Sequence, residues 1–355
     1  MKAFLPLILT SILTVQQQSF AASSLSNRVV GWGSNLAGEA TGIPGPEYYS
    51  TGVVMIAGRP LSNVVAVSAG YCQSLAVMFD GRVLGWGDNA WGAATGVKPI
   101  QQPSWTNGYV RAGGLILSNV VAVAAGRTHS LALLKNGRVT AWGECGGHDP
   151  AAPVGLSNVV AIAAGDNSSL ALRSDGMVVS WGEVPEPPAN LSNVVAIAMA
   201  GSWDAFALRR DGTVFYWSRG EAAGGSNVAS NAVAIAAGGE NLMLGTHLLA
   251  LLRDGRVFGW GANDFGEATG TPGSRSGIVT VDGQTLSDVT NIAAGGGFSL
   301  ALTRHGTTVA WGRMNFGKVD PAPAAASLRG VVGIAAGSDF ALAITTNEIP
   351  LVFRK

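Results

Sequence analysis

Cysteine and charge are both scarce in this chain of 355 residues: it has two cysteines, and 22 basic against 22 acidic side chains. Two cysteines cannot form the framework of a disulfide-stapled domain. A formal net charge of zero removes the basic surface that general nucleic-acid or anionic-membrane binding requires. Helical periodicity is missing as well, since no stretch beyond the first twenty residues places apolar side chains at a spacing of 3.6. No later apolar run is long enough to cross a bilayer as a helix. The chain also lacks a GxSxG elbow, a Walker loop, a dinucleotide fingerprint and a calcium-loop pattern. These absences leave no catalytic residue, no cofactor and no metal to assign.

What the chain has in quantity is glycine, 50 residues of it, and repetition. A small-residue triplet ends at Gly70, Gly126, Gly165, Gly201, Gly238, Gly295 and Gly337. A Trp recurs at Trp32, Trp86, Trp142, Trp181, Trp217, Trp260 and Trp311, followed by Gly everywhere except at Ser218. The mean period of about 44 residues marks a repeat architecture. Within each unit the runs VVAxAAG, xSLALxx and xVxxWG alternate with period two. Asp80-Gly81, Asn136-Gly137, Asp175-Gly176, Asp211-Gly212 and Asp254-Gly255 stand between the second and third runs. Such dipeptides predict two-residue hairpins with positive φ at both positions, and the triplet glycines predict the other tight turn. Seven such meanders predict an all-β, seven-bladed β-propeller of about four-stranded antiparallel blades. VVAxAAG suits the strand nearest the axis, where small side chains fit. Each Trp suits the gap between neighbouring blades, which a large ring fills.

The first landmark, SNRVVGWG at 26–33, has no triplet before it, and the last triplet, in 331–348, has no Trp-Gly after it. The N-terminal strand 27–33 therefore completes the blade of 331–346 and closes the ring, leaving no open edge. The tail IPLVF at 349–353 is expected as an extra edge strand. Residues 1–21 read as a signal peptide, with a basic start, an apolar stretch and Ser19-Phe20-Ala21 for cleavage. Residues 22–355 then form a single propeller domain outside the cytoplasm, secreted or periplasmic and monomeric. Cys72 and Cys145 fall on one face of neighbouring blades; a disulfide and two separate thiols are both open there.

The pattern VVAxAAGxxHSLALxxxGRVxxWG resembles the regulator of chromosome condensation repeat family of seven-bladed propellers, over residues 27–346. The segment VVGWGSNLAGEATGIP at 29–44 is similar to the start of a secreted propeller that inhibits β-lactamases. The resemblance implies the fold. It carries no enzymatic site across, and no residue matches the family's nucleotide-exchange site.

Function is expected where the repeats differ. The segments after Trp-Gly are long at 34–60, 88–117 and 262–285, and share AGEATG (37–42), WGAATG (91–96) and FGEATG (265–270). The shared text suggests a structural turn. The candidate binding face comprises Tyr48, Tyr49, Tyr71, Trp91, Trp105, Tyr109, Arg127, Trp203, Asp204 and Phe298, rich in the aromatic and Arg side chains of protein-binding hot spots. His129 and His247 are expected as turn residues of the repeat and His305 as an exposed hairpin residue. Cys145-Gly146-Gly147-His148-Asp149 lacks the second cluster that zinc needs. The leading expectation is a non-enzymatic propeller that binds a protein through one aromatic loop face. The alternatives are a β-lactamase-inhibitor-like protein, a carbohydrate-binding or hydrolase/lyase propeller with acidic or His side chains converging on the channel, and a guanine nucleotide exchange factor.

Overall fold

The computed structural model describes residues 27–45, 47–100, 104–146, 150–220, 225–240, 245–313, 328 and 330–346. Blade 2 shows the plan of the unit. Its inner strand Val64–Ala69 pairs with Gln73–Met78, that with Val83–Asp88, and that with the outer strand Trp105–Tyr109, all antiparallel. The inner strands of blades 3 to 7 are Val120–Ala125, Val159–Ala164, Val194–Ala200, Ala232–Glu240 and Val289–Ala294. Blades 5 and 6 also have four strands, and blades 3, 4 and 7 have three among the described residues. In blade 1 the two ends of the chain meet: Arg28–Ser34 lies between Phe340–Thr345 and the outer strand Tyr49–Val53, with Val331–Ala336 innermost. Trp32 stands opposite Ala341 and Val30 opposite Ala343. The N-terminal strand thus closes the ring, as the split landmarks predicted. The leader 1–21 and the tail 349–353 lie outside the described residues.

Each inner strand touches the inner strands of both neighbours, and Val331–Ala336 reaches Val64–Ala69 to complete the circle. Crowding at the axis decides the residue types. A Cβ added at Gly70, Gly126 or Gly165 would lie 2.3, 2.4 or 2.1 Å from the carbonyl oxygen of the next blade's triplet glycine. Of the seven triplet glycines only Gly201 has positive φ. Close approach of one blade to the next, rather than turn geometry, is therefore what demands glycine at the others. The hairpin reading also needs correction. Gly81 donates to Met78 O, Gly81 alone has positive φ, and Asp80 Oδ1 accepts from Arg82 N. The loop is a three-residue type I turn with glycine in the left-handed position, and the Asp caps the backbone two residues on. Asn136, Asp175, Asp211 and Asp254 do the same.

In three of the repeats a Trp and a Ser join their blade to the preceding one. Trp86 Nε1 donates to Glu39 O at 2.9 Å, Trp142 to Ala93 O at 2.8 Å and Trp311 to Glu267 O at 3.0 Å. Ser74, Ser130 and Ser299 donate to the same three carbonyls. Each acceptor lies in the preceding blade, at the third position of the shared AGEATG-type text. A buried Asn folds that text into a clamp. Asn89 Nδ2 donates to Thr95 Oγ1 and Val97 O, while its Oδ1 accepts from Ala94 N and Thr95 N. Asn35 and Asn263 repeat the arrangement. The clamp then crosses the third strand so closely that a Cβ at Gly31, Gly85 or Gly259 would meet the Ala40, Ala94 or Ala268 carbonyl oxygen at 1.8 Å.

Candidate binding face

One end of the disc, the loop face, carries the turns after the triplets and the segments after Trp-Gly. The other carries the Asp-Gly hairpins. The structure brings most of the expected residues to the loop face. Tyr48 is 44 % exposed and its ring lies 4.6 Å from that of Tyr49. The Arg127 guanidinium stands 4.8 Å over the Tyr71 ring. Trp91 is 46 % exposed, with Lys98 Nζ 5.0 Å above its ring and paired to Glu144 of blade 3. Trp203 donates Nε1 to Glu183 Oε2 at 3.2 Å, under the Arg219 guanidinium. Half-buried Trp105 starts the outer strand of blade 2, opposite Asp88.

Two expected residues, Phe298 and Tyr109, do not present themselves there, and a third, Asp204, is engaged within the scaffold. Phe298 is 2 % exposed and packs beneath Gly295, because its slot at the head of the second strand points into the blade interface. Tyr109 lies at the far end of its strand, opposite Leu84, and stacks under Arg82 of the hairpin face. Asp204 ties blades together, accepting from Tyr216 Oη at 2.8 Å and from Thr246 Oγ1 of blade 6 at 2.6 Å. Leu36 and Phe265 were missed, and both are exposed. Each follows the buried Asn of its clamp by one or two residues, which is the signal that would have found them.

His129 and His247 are structural, but they stand in strands rather than turns. His129 and His247 are wholly buried, and their Nε2 atoms pair with Ser169 Oγ at 3.0 Å and Ser299 Oγ at 2.9 Å across the next interface. Burial lowers both from 6.5 to about 4; for His129 the Asp166 backbone pulls slightly the other way. His305 is exposed on its hairpin. No disulfide joins Cys72 and Cys145, so the bridge considered above is not formed. Burial, with help from Glu183, pushes Cys145 up to about 11.

Two concavities open on this face. The mouth of the central channel encloses about 100 Å³ and is lined mostly by the Ala and Gly of the triplets, with Tyr71, Arg127, Asp166, Met199 and Ser338 at its rim. It presents no convergence of acidic or His side chains, which the catalytic alternative required of it. Between blades 1 and 2 a second cleft of about 170 Å³ is lined by Leu36, Tyr48 and Tyr71 together with Glu39, Asp88 and Asp339. Burial raises Glu39, against the pull of its bonds to Ser34 and Ala37, and Asp88 adds a small push. Among the described residues no three His, Cys, Asp or Glu side chains are grouped to hold a metal ion. His148 and Asp149 lie outside those residues.

A ring of seven meanders joined through Gly, Ser and Trp defines a propeller of the chromosome-condensation type. The chain matches the Regulator of chromosome condensation (RCC1) repeat at residues 64–90, 120–147, 159–183, 245–267 and 289–318, and is an RCC1-repeat propeller. Its sequence is 32 % identical over 152 residues to protein pim1 of Schizosaccharomyces pombe, covering 39 % of this chain and 28 % of pim1. It is 29 % identical over 321 residues to the human E3 ubiquitin-protein ligase HERC2, covering 83 % of this chain and 6 % of HERC2. The chain thus spans under a third of either relative. Among solved structures, Prp20p from Saccharomyces cerevisiae, described with its binding to Gsp1p and histones, superposes with a TM-score of 0.71. Identity there is 19 %, with 95 % of each chain covered. Human WBSCR16 gives 0.65 at 18 % identity, over 90 % of this chain and 99 % of that one. At these identities the likeness is one of fold.

Proposed function

We propose that this chain is a secreted or periplasmic, non-enzymatic propeller that binds a protein partner through its loop face. One observation carries the reading: Leu36, Tyr48, Trp91 and Phe265 stand 40–58 % exposed on or beside clamps whose backbones are already fixed by a buried Asn. Large apolar side chains on pre-ordered loops lose little freedom on binding, and concentrated exposure of this kind is a mark of interaction surfaces. The partnerships described for Prp20p are consistent with the scaffold being used this way. Export rests on the leader-like residues 1–21, and cell fractionation tests it. A β-lactamase-inhibiting version rests on residues 29–44. Those residues form a strand and a clamp here, so the version remains the narrower one.

The test is capture from the native envelope and medium with the chain from Ala22 onward as bait. A partner lost on Trp91→Ala with Trp203→Ala, and kept on Phe79→Ala at the hairpin face, supports the reading. A partner held equally by all three forms sinks it.

A further inference from the structure

A net charge of zero conceals an uneven distribution. The hairpins between second and third strands, at 78–82, 134–138, 173–177, 209–213, 252–256 and 303–307, carry nine Lys or Arg and four Asp. Three of those Asp pair within their own hairpins, with Arg82, Arg173 and Arg256, and Asp211 is held by Thr213. Arg209 lies over Phe215. Lys135, Arg138, Arg210, Arg253 and Arg304 are exposed and enter no ion pair among the described residues. On the same side, Arg59 and Arg111 of the outer hairpins offset Asp282 and Asp288. The balancing carboxylates stand at the other end of the disc, Asp88, Glu144, Glu183 and Asp264 among them. Large apolar side chains share the hairpin slots with the cations. Phe79, 68 % exposed, takes the slot of Lys135, Arg210, Arg253 and Arg304, and Met177, 59 % exposed, takes that of Arg82, Arg138 and Arg256. Nearer the axis, Val121, Val160 and Val332 are exposed at the bulges that open the inner strands. The face is level, because the hairpins meet the next blades at one register: Gly81 O accepts from Val120 N, Gly137 O from Val159 N, Gly212 O from Ala232 N and Gly255 O from Val289 N.

We infer that the hairpin face is a second interaction surface, one that lies on an anionic lipid bilayer with its unpaired cations at the lipid phosphates and Phe79 and Met177 in the headgroup region. The inference goes beyond the protein-binding reading of the loop face and does not depend on it. Cations near an anionic leaflet gain from its surface potential, and apolar side chains beside them gain by entering the interface. A nucleic-acid backbone would satisfy the cations and leave Phe79, Met177 and the bulge valines facing charge or water. A level face with apolar tips among unpaired cations fits a plane that offers both chemistries at once.

The test is vesicle co-sedimentation of the chain from Ala22 onward, which keeps every described strand. An equimolar mixture of phosphatidylcholine and phosphatidylglycerol should retain the protein, and phosphatidylcholine alone should not. Retention should be lost as salt rises from about 0.1 M to about 1 M. Arg210→Gln/Arg253→Gln/Arg304→Gln, which breaks no ion pair of the fold, should weaken binding about a hundredfold, at about fivefold for each cation. Arg210→Lys/Arg253→Lys/Arg304→Lys should bind as the wild type does, which separates charge from folding. Phe79→Ser/Met177→Ser should weaken binding about tenfold. Arg219→Gln/Arg275→Gln, at the opposite end of the disc, should leave it unchanged. Equal retention on both vesicles, no effect of the triple Gln change, or an equal loss in the Arg219/Arg275 variant overturns the inference. A DNA duplex or polyglutamate that displaces the vesicles at equal anionic charge, through the same three arginines, overturns it too. The occupant is then a nucleic acid or an acidic protein.

Discussion

Mild acid should loosen this propeller through two buried histidines. His129 and His247 each bridge an interface while neutral, with folded values near 4 against 6.5 for the free side chain. Above pH 6.5 the ring is neutral in both states, so neither histidine adds a pH-dependent cost. Between 6.5 and 4 the unfolded chain takes up protons that the native one refuses, and stability falls; below 4 the loss is complete. At pH 5 the difference amounts to about 2 kcal/mol for each ring, or about 4 kcal/mol for the pair. Glu39 and Glu267 act in the opposite sense. Their carboxyls are raised in the fold, chiefly by burial, so the native state gains on the unfolded one as pH falls. The lowered hairpin carboxylates Asp80, Asp211 and Asp254 lose their contribution only as pH drops through and below the usual Asp value of 3.8. A comparison of variants cancels these terms. The repeat itself supplies the replacement, since Gln73 fills the same slot in blade 2 and donates to Gly126 O at 2.9 Å. Urea unfolding of the wild type and of His129→Gln/His247→Gln at pH 7.5, 6 and 5 should give curves that converge by about 4 kcal/mol on acidification. Parallel curves would refute the reasoning.

Three more outcomes follow from the interfaces. Gly126→Ala places a Cβ 2.4 Å from Gly165 O and 2.7 Å from the His129 ring; it should cost about 2–3 kcal/mol in thermal or urea unfolding, while Gly52→Ala, with nothing nearer than 3.9 Å, stays near neutral. Ala262→Ser should stabilise by about 1 kcal/mol, because Glu267 Oε1 is buried without a partner where the equivalent Ser34 donates to Glu39 at 2.6 Å; an unchanged urea midpoint would count against that geometry. A chain beginning at Asn35 lacks the third strand of blade 1 and exposes the edge of Phe340–Thr345, so size-exclusion chromatography should show association where the full chain runs as one copy.

Much of the architecture was legible because the repeat states its own packing rules. Period-two runs, a Trp at one register position and a landmark split between the termini sufficed for seven blades and their closure. Glycine was harder to read. From sequence a Gly signals a turn, and at Gly81 or Gly137 it does supply positive φ. At Gly126 and Gly85 the reason is a carbonyl from elsewhere in the ring, and only the assembled ring puts it there. A covariation was nonetheless available: GWG occurs at 31–33, 85–87 and 259–261, in the three units that carry the ATG text. The face was half legible. Trp91 and Tyr48 were recognised as loop aromatics. Phe298 and Tyr109 were not separable from them, because whether an aromatic at a strand end points outward depends on register. His129 shows the same limit: its neighbour in sequence is a turn, while its hydrogen-bond partner lies 40 residues on.

The contrast between long and short segments separates scaffold from display. Trp181 and Trp217 obtain their inter-blade acceptors from Pro150 O and Pro185 O, within segments of a dozen residues or fewer. Joining neighbouring blades therefore needs no clamp and no outer hairpin. The segments after Trp32, Trp86 and Trp260 are longer than that joint requires, and the extra length carries Tyr48, Trp91, Lys98 and Phe265. The clamp folds it onto a buried Asn with four or more hydrogen bonds, so its side chains stand on a base as ordered as the blades. Blades 6, 7, 1 and 2 are consecutive around the ring, so the three clamps gather on one side of the disc, away from blades 4 and 5. A partner reading this surface meets one rigid sector, and the cleft beside Asp88 lies between two of its clamps.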